Sequence, residues 1–251
     1  MYSDLIYKKY KTIDLLYTFQ YEEKDISLAI KRLLCSLHSV KNQNCNIIIV
    51  NGSKTCIKEY LKGFNVTYIH KHEKQLGAKC KLINYGVKKL VKTDYFLLSD
   101  IDLVYPSDYV EYTNEKYISD KTKTWRVIFY NYNLLEFCYE KDINVFLRKK
   151  IKKDPDGGFA HGNGLIHRKS FLRINGYDED FIGYGPEDDM FNIRIKKIND
   201  WVYDKEMYSV HMFHKRTNLI QVDKNHEMFL KRKTSLESGS NKYLIANKGG
   251  I

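Results

Sequence analysis

Tyr95-Phe96-Leu97-Leu98-Ser99-Asp100-Ile101-Asp102 is a short apolar run that ends on two carboxylates. A run of this length, stopped by Ser-Asp, reads as a buried β-strand. Working back from it, Ala78, Leu82, Val87 and Leu90 recur at helical spacing, and Val66–Ile69 is another short apolar segment. Ile47–Val50 is a β-branched run that stops at the turn signal Asn51-Gly52-Ser53. Before it, Ile26, Ile30, Leu33, Leu34 and Leu37 mark one face of a helix, and Ile13–Phe19 reads as a first strand. The order strand, helix, strand, strand, helix, strand predicts an α/β chain with a mostly parallel sheet and helical crossovers. Ligands of such sheets bind beyond the carboxyl ends of the strands. Asn51 and Asp100 stand at two of those ends.

Working forward, the pattern is less regular. Trp125–Tyr130 reads as a strand, Asp154–Gly164 as a glycine-rich loop, and Tyr208–Phe213 as a late strand. Phe191, Ile195 and Ile198 form the apolar stripe of a helix that starts near Glu187. The stretch after Lys231, with Gly239, Gly249 and Gly250, reads as a mobile basic tail, counted from 226 to 251. The three prolines, Pro106, Pro155 and Pro186, mark no linker, and no repeat is visible, so 251 residues predict one domain.

A 43% apolar composition is enough for a sizeable core, and the 21 tyrosines first of all help to fill it. The formal charge of +11 is spread along the chain, with Lys231-Arg232-Lys233 the densest run. Spread lysines describe a solvated surface, and the charge alone selects no partner. Cys35, Cys45, Cys56, Cys80 and Cys138 are odd in number and lack any C-x-x-C spacing. That speaks against a disulfide framework or a zinc knuckle and for free thiols in a reducing compartment. The first residues lack the apolar core of a signal peptide, and no window offers 18 uninterrupted apolar residues. The expectation is a cytoplasmic chain that touches membranes only peripherally, through its basic tail.

Three groups of residues carry chemistry. In extended geometry Asp100 and Asp102 would face the same side. Paired oxygen anions suit a hard divalent cation, Mn²⁺ or Mg²⁺, which can bridge to a diphosphate. The bland alternative is a solvated turn. Gly183-Tyr184-Gly185-Pro186-Glu187-Asp188-Asp189 puts three acids at a helix start. Helix capping would explain one or two of them. The glycines allow close backbone approach, Tyr184 offers a ring to a sugar, and one carboxylate can act as general base. His211 and His214, three residues apart, are either surface or core histidines, or neutral imidazoles that complete a metal shell.

Taken in order, these residues resemble a known family. The stretch from Gly162-Asn163-Gly164 through Gly183-Tyr184-Gly185-Pro186-Glu187-Asp188-Asp189 resembles the C-terminal "NGF…WGWGGEDDD" motif of β-1,4-galactosyltransferases. It also resembles the transferase modules of chondroitin-type polymerases. Lys81-Leu82-Ile83-Asn84-Tyr85-Gly86-Val87 is similar to the family's "KLLNVGF", and the resemblance runs from about Leu15 to His214. It implies a single GT-A domain, Rossmann-like, with helices on both faces of the sheet. Residues of about 12–110 would form the nucleotide-sugar half and 111–225 the acceptor half. The implied reaction moves a hexose, galactose or an N-acetylhexosamine, from a UDP-sugar to a saccharide or glycoconjugate, with inversion and with a divalent metal.

By the same resemblance, Thr18, Gln20, Asn51, Lys81, Asp100, Ile101 and Asp102 would contact the nucleotide-sugar. Asp102 would be the main metal ligand, Asp100 a ribose or metal contact, and His211 or His214 a further ligand, with the His-x-Phe order favouring His211. Gly162, Tyr184, Gly185 and Glu187 would hold the acceptor, and Asp188 would be the general base. Asn51 stands where relatives more often have Asp, and Tyr184 and Pro186 replace Trp and Gly. Phe159 falls near a position where a bulky aromatic limits the sugar's 2-substituent, which favours galactose.

Two other classes predict different sequences. A nucleotidyltransferase would carry a glycine-rich basic loop after the first strand, and Thr18-Phe19-Gln20-Tyr21-Glu22 is not one. A nucleic-acid-binding module would explain the charge but gives no role to Glu187-Asp188-Asp189. No nucleic-acid partner is expected.

Overall fold

The computed structural model describes residues 12–115, 122–130, 159–198, 201–212, 214 and 221–246. The elements in chain order are β1 (Ile13–Phe19), α1 (Glu23–Val40), β2 (Cys45–Asn51), a 3₁₀ turn (Lys58–Leu61) and β3 (Val66–His70). There follow α2 (Lys79–Lys89), β4 (Tyr95–Ser99), β5 (Leu103–Val104), α3 (Tyr109–Glu115), β6 (Thr122–Tyr130) and β7 (Phe159–His167). The chain continues with α4 (Arg168–Arg173), α5 (Glu187–Ile198), β8 (Trp201–Met212) and α6 (Val222–Glu237). The strands form one sheet in the order β3-β2-β1-β4-β7-β6-β8-β5. Strands β3, β2, β1 and β4 run parallel, β7 is antiparallel to both β4 and β6, and β8 runs parallel to β6.

The period-two alternation of the strands builds two cores, one on each face of the sheet. Leu15, Tyr17, Ile49 and Leu97 point to one face, where Ile30, Leu33 and Leu37 of α1 cover them. Leu16, Ile48, Val50, Phe96 and Leu98 point to the other, under Leu82, Ile83 and Val87 of α2 and Phe171, Tyr177 and Phe191. Runs that alternate between two cores are largely apolar, as expected for parallel strands covered on both sides. Helix α2 lies close on the sheet at Gly86, where a Cβ would come 2.7 Å from Leu16 Cδ1.

Two expectations are corrected here. Residues 159–164, expected in a glycine-rich loop, belong to β7, because β4 and β6 supply ladder partners on both sides; Gly164 pairs with Leu98 and with Thr124. The expected mobile tail is largely ordered. Helix α6 packs against α5, Leu236 is buried, and Ala246 N donates to Ile174 O at 2.9 Å. Within the Lys231-Arg232-Lys233 run, Arg232 is 6% exposed and pairs with Asp178 and Asp180, so only its two lysine neighbours remain toward solvent. Cys35, Cys45, Cys56 and Cys80 carry free thiols. No helix among the described residues is long and apolar enough to cross a membrane.

Candidate active site

Strand β4 delivers its last residues to the carboxyl edge of the parallel strands. Beyond Ser99 the chain turns instead of staying extended. Ile101 sinks into the core at 3% exposure, so its side chain is a wedge and not a ligand contact. The turn also separates the two carboxylates, contrary to the expectation that they share a side. Asp102 faces β8, and Asp100 faces α2.

Pairing of β5 with β8 sets Leu103 opposite His211, and Met212 N donates to Asp102 O at 2.8 Å. This register brings both histidines to one carboxylate oxygen. His214 Nε2 lies 2.8 Å and His211 Nε2 3.5 Å from Asp102 Oδ2. The two rings stack with centroids 5.3 Å apart. One ligand atom from each of Asp102, His211 and His214 falls within 4.8 Å of the others. Burial would raise the Asp102 carboxyl, but hydrogen bonds and charge from the two imidazoles outweigh it and hold the group far below the usual range. Burial would lower His211; the hydrogen bond and charge of Asp102 outweigh that and raise it. Asp102 Oδ1 is buried and has no hydrogen-bond partner among the described residues. A carboxylate with one such buried oxygen beside two imidazoles is a fit donor set for a divalent transition ion. Both histidines belong to the cluster, and the closer one is His214 rather than the favoured His211. Asp100 is not part of the cluster.

The acidic run begins α5, so Glu187, Asp188 and Asp189 occupy its first turn, where the helix dipole favours anions. Lys79, the first residue of α2, reaches across to it. Its Nζ lies 3.1 Å from Asp188 Oδ2, 3.2 Å from Asp100 Oδ1 and 3.7 Å from Glu187 Oε1. Burial alone would lower Lys79; the charges of Asp100, Asp188 and Glu187 reverse this and raise it well above its ordinary value. Glu187 is pushed up to about 8 by burial and then by the Asp188 charge, with Lys79 acting in the other direction.

The approach of these two regions rests on a glycine clasp. Gly77 and Gly183 both have positive φ, 81° and 82°, and Gly183 N donates to Gly77 O at 3.0 Å. A Cβ on Gly77 would lie 2.3 Å from Gly183 Cα, so only glycine permits the contact. Gln20 shapes the same loop. Its Nε2 donates to Gln75 O at 2.9 Å and Glu73 O at 3.3 Å, and its Oε1 accepts from Ala78 N at 2.7 Å. Beside the acidic run lies a cavity of about 570 Å³, lined by Tyr184, Pro186, Asp189, Asp223, His226 and Glu227 among others. Tyr184 is 39% exposed.

The structure thus joins Asp100, Asp102, Glu187, Asp188, His211 and His214 in one region, with Tyr184 and Gly185 at the neighbouring cavity. Other expected contacts fall elsewhere. Asn51 is fully buried and its amide is used internally: Nδ2 donates to Thr55 O and Tyr68 Oη, and Oδ1 accepts from Ser53 N. It braces the turn after β2. Thr18 is half-buried within β1, and Gly162 lies within β7. The side chain of Phe159 lies outside the described residues. Lys81 follows Lys79 by two residues on α2, about 200° round the helix, and it is Lys79 whose Nζ reaches Asp100, Glu187 and Asp188. Lys79 was missed because a lysine among many has no local signature; its meaning comes from the clasp.

The mixed sheet, with a carboxylate–imidazole cluster at the end of β4 and an acidic helix start tied to it through Lys79 and Asp100, has the GT-A fold of glycosyltransferases. The chain belongs to glycosyl transferase family 2, which its residues 21–174 match. Residues 142–215 also match the family described as the N-terminal domain of galactosyltransferase. No curated protein matches the sequence. Among solved structures, GalNAc-T7 with UDP, GalNAc and Mn²⁺ is similar with a TM-score of 0.60 at 12% identity, over 97% of this chain and 53% of that one. The mannosyltransferase PcManGT from Pyrobaculum calidifontis, in complex with GDP-Man and Mn²⁺, gives 0.54 at 14% identity, over 82% and 58%. A mutant of Drosophila β-1,4-galactosyltransferase 7, in complex with manganese, UDP-Gal and xylobiose, gives 0.52 at 13%, over 87% and 79%. The chain spans little more than half the length of the first two. At these identities the likeness is one of fold.

Proposed function

We propose that this glycosyltransferase moves a hexose, galactose or an N-acetylhexosamine, from a UDP-sugar to a saccharide acceptor, inverting the anomeric centre in one displacement. The observation that carries this reading is the convergence of two regions. The Asp102–His211–His214 cluster stands at the end of β4, and Lys79 joins its neighbour Asp100 to the Glu187–Asp188 pair. Asp102, His211 and His214 would hold a divalent ion. An ion bound there would neutralise charge on the departing nucleoside diphosphate. Two imidazoles in the set favour Mn²⁺ over Mg²⁺, which prefers oxygen donors.

Asp188 is the base that takes the proton from the attacking hydroxyl. A single base suffices for inversion, because the acceptor oxygen attacks the donor carbon directly. Glu187, titrating at about 8, carries its proton at neutral pH and donates a hydrogen bond to an acceptor oxygen. The acceptor extends over Tyr184 into the cavity of about 570 Å³, whose described lining includes Asp189, Asp223 and Glu227 and no lysine or arginine. That wall suits a neutral or amino sugar and repels a uronate or a phosphate. Peripheral membrane contact, if it occurs, rests on Lys231 and Lys233 of α6.

A donor-hydrolysis screen with Mn²⁺ across UDP-galactose, UDP-glucose, UDP-N-acetylgalactosamine and UDP-N-acetylglucosamine tests the reading. Turnover of a UDP-sugar is expected. Turnover of GDP-mannose with none of the four would overturn the UDP assignment.

A further inference from the structure

Three arginines are deeply buried in the described structure, and they differ in what they bond. Arg232 pairs with Asp178 and Asp180. Arg194 donates through Nη2 to the carbonyl oxygens of Ile174 and Gly176, and its Nε and Nη1 are buried without a hydrogen-bond partner among the described residues. Arg32, on the sheet-facing side of α1, is 6% exposed, and its Nε is buried with no hydrogen-bond partner among the described residues. No carboxylate among the described residues pairs with it. Its close companion is a ring, with the guanidinium carbon 5.8 Å from the centroid of Tyr21.

The location gives this cation a use. Tyr21 stands two residues beyond the end of β1, at the ligand-binding edge of the parallel strands, and its backbone N is pinned to Ser53 Oγ at 2.8 Å. The charges that act on the Tyr21 phenol are those of Asp102, Arg32, Asp100 and Lys79, after burial, which raises it. β1 lies beside β4 with Tyr17 opposite Ser99, so the guanidinium over Tyr21 stands at the sheet edge that carries Asp100 and Asp102. A buried cation without an anionic partner costs folding free energy. The planar fork of arginine matches phosphate oxygens and keeps its charge when desolvated.

We propose that Arg32, stacked on Tyr21, is a positioning residue that receives the diphosphate of the nucleotide-sugar donor beside the Asp102–His211–His214 cluster. The inference rests on the donor reading above. It makes Arg32 a residue held in the free protein at a cost to stability, which the arriving anion offsets.

The test compares wild type, Arg32→Met and Arg32→Lys by calorimetric titration and thermal unfolding. The probes are Mn²⁺ alone, Mn²⁺ with inorganic pyrophosphate, Mn²⁺ with UDP, and uridine. In Arg32→Met, affinity for UDP and for pyrophosphate should fall by about tenfold or more, as for loss of a charge-assisted contact. Affinity for Mn²⁺ alone and for uridine should stay within about twofold, and the ligand-free melting temperature should hold or rise. Arg32→Lys, which keeps the charge and loses the fork, should fall between the two. UDP and pyrophosphate affinities within about twofold of wild type would overturn the assignment while leaving the donor reading standing. A lowered melting temperature with parallel loss of Mn²⁺ affinity would also overturn it, by making Arg32 a structural brace. Wild type that binds Mn²⁺ and pyrophosphate through Arg32 but ignores UDP would instead sink the donor reading and keep the anion site.

Discussion

The cleft has two walls, and each buries carboxylates with opposite results. On the strand wall, Asp102 is held far below the usual carboxylate range because two imidazoles share one of its oxygens. On the helix wall, Glu187 rises to about 8 through burial first and then the Asp188 charge, while Lys79, divided among three acids, opposes this only in part. Burial pushes both groups upward, so neighbours decide the outcome. In the proposed reaction the strand wall stays ionised to take a cation, and the helix wall keeps one proton beside Asp188, the proposed base.

The largest separation between the walls should come from Asp102→Asn. The amide keeps the shape and removes the charge, so Mn²⁺-dependent UDP binding should fall by at least about a hundredfold, more than is usual for an outer-shell partner. Titration showing UDP affinity unchanged would place the metal elsewhere. Gly77→Ala strikes the opposite wall. Its Cβ would meet the Gly183 backbone at 2.3 Å with φ at +81°, so the clasp must shift. A loss of about 2 kcal/mol in denaturant unfolding is expected, and transfer should suffer more than Mn²⁺ binding. Equal loss of both would mean that the walls are not independent.

Glu187→Gln tests the raised carboxyl. A group at about 8 in the folded chain and in the ordinary range near 4.5 when unfolded holds its proton more tightly in the fold. As pH rises from about 5 to 8 the unfolded chain releases that proton first, so wild type loses stability across this window. The glutamine variant lacks this loss, and its stability relative to wild type should grow between pH 5 and 8. Asp102 has the opposite sign: its contribution is present above the ordinary carboxylate range and is lost as pH falls below about 4. A flat difference between wild type and Glu187→Gln from pH 5 to 8 would remove the raised carboxyl from the account.

The strand wall was the more legible of the two in the sequence. Ile13–Phe19 is mostly apolar and Tyr95–Leu98 wholly so, since both faces are covered, and the carboxylates follow at the strand end where ligands gather. His211 and His214 were visible as a pair, but their spacing carried no preference between them; the β5–β8 register brings both to Asp102. The split of Asp100 from Asp102 was hidden, because it depends on a turn whose cause is the burial of Ile101. Lys79 and Arg32 were hidden for a related reason: each takes its meaning from a contact across the fold. Arg232 shows the limit of reading charge as solvation. Its place in a basic run suggested a tail, yet Asn225, Arg232 and Leu236 share one buried helical stripe. Phe159 lies outside the described residues as a side chain, and its bearing on the sugar's 2-substituent stays with the donor screen.

Asp188→Asn tests the central claim most directly, because it separates a base from a helix cap. Asparagine keeps the shape and is itself a good residue at a helix start. With a competent acceptor, transfer should fall by at least about a hundredfold while Mn²⁺ and UDP affinities stay within about twofold, as expected when a general base is lost. Turnover within about threefold of wild type would contradict the account and leave Asp188 as a structural residue beneath Lys79.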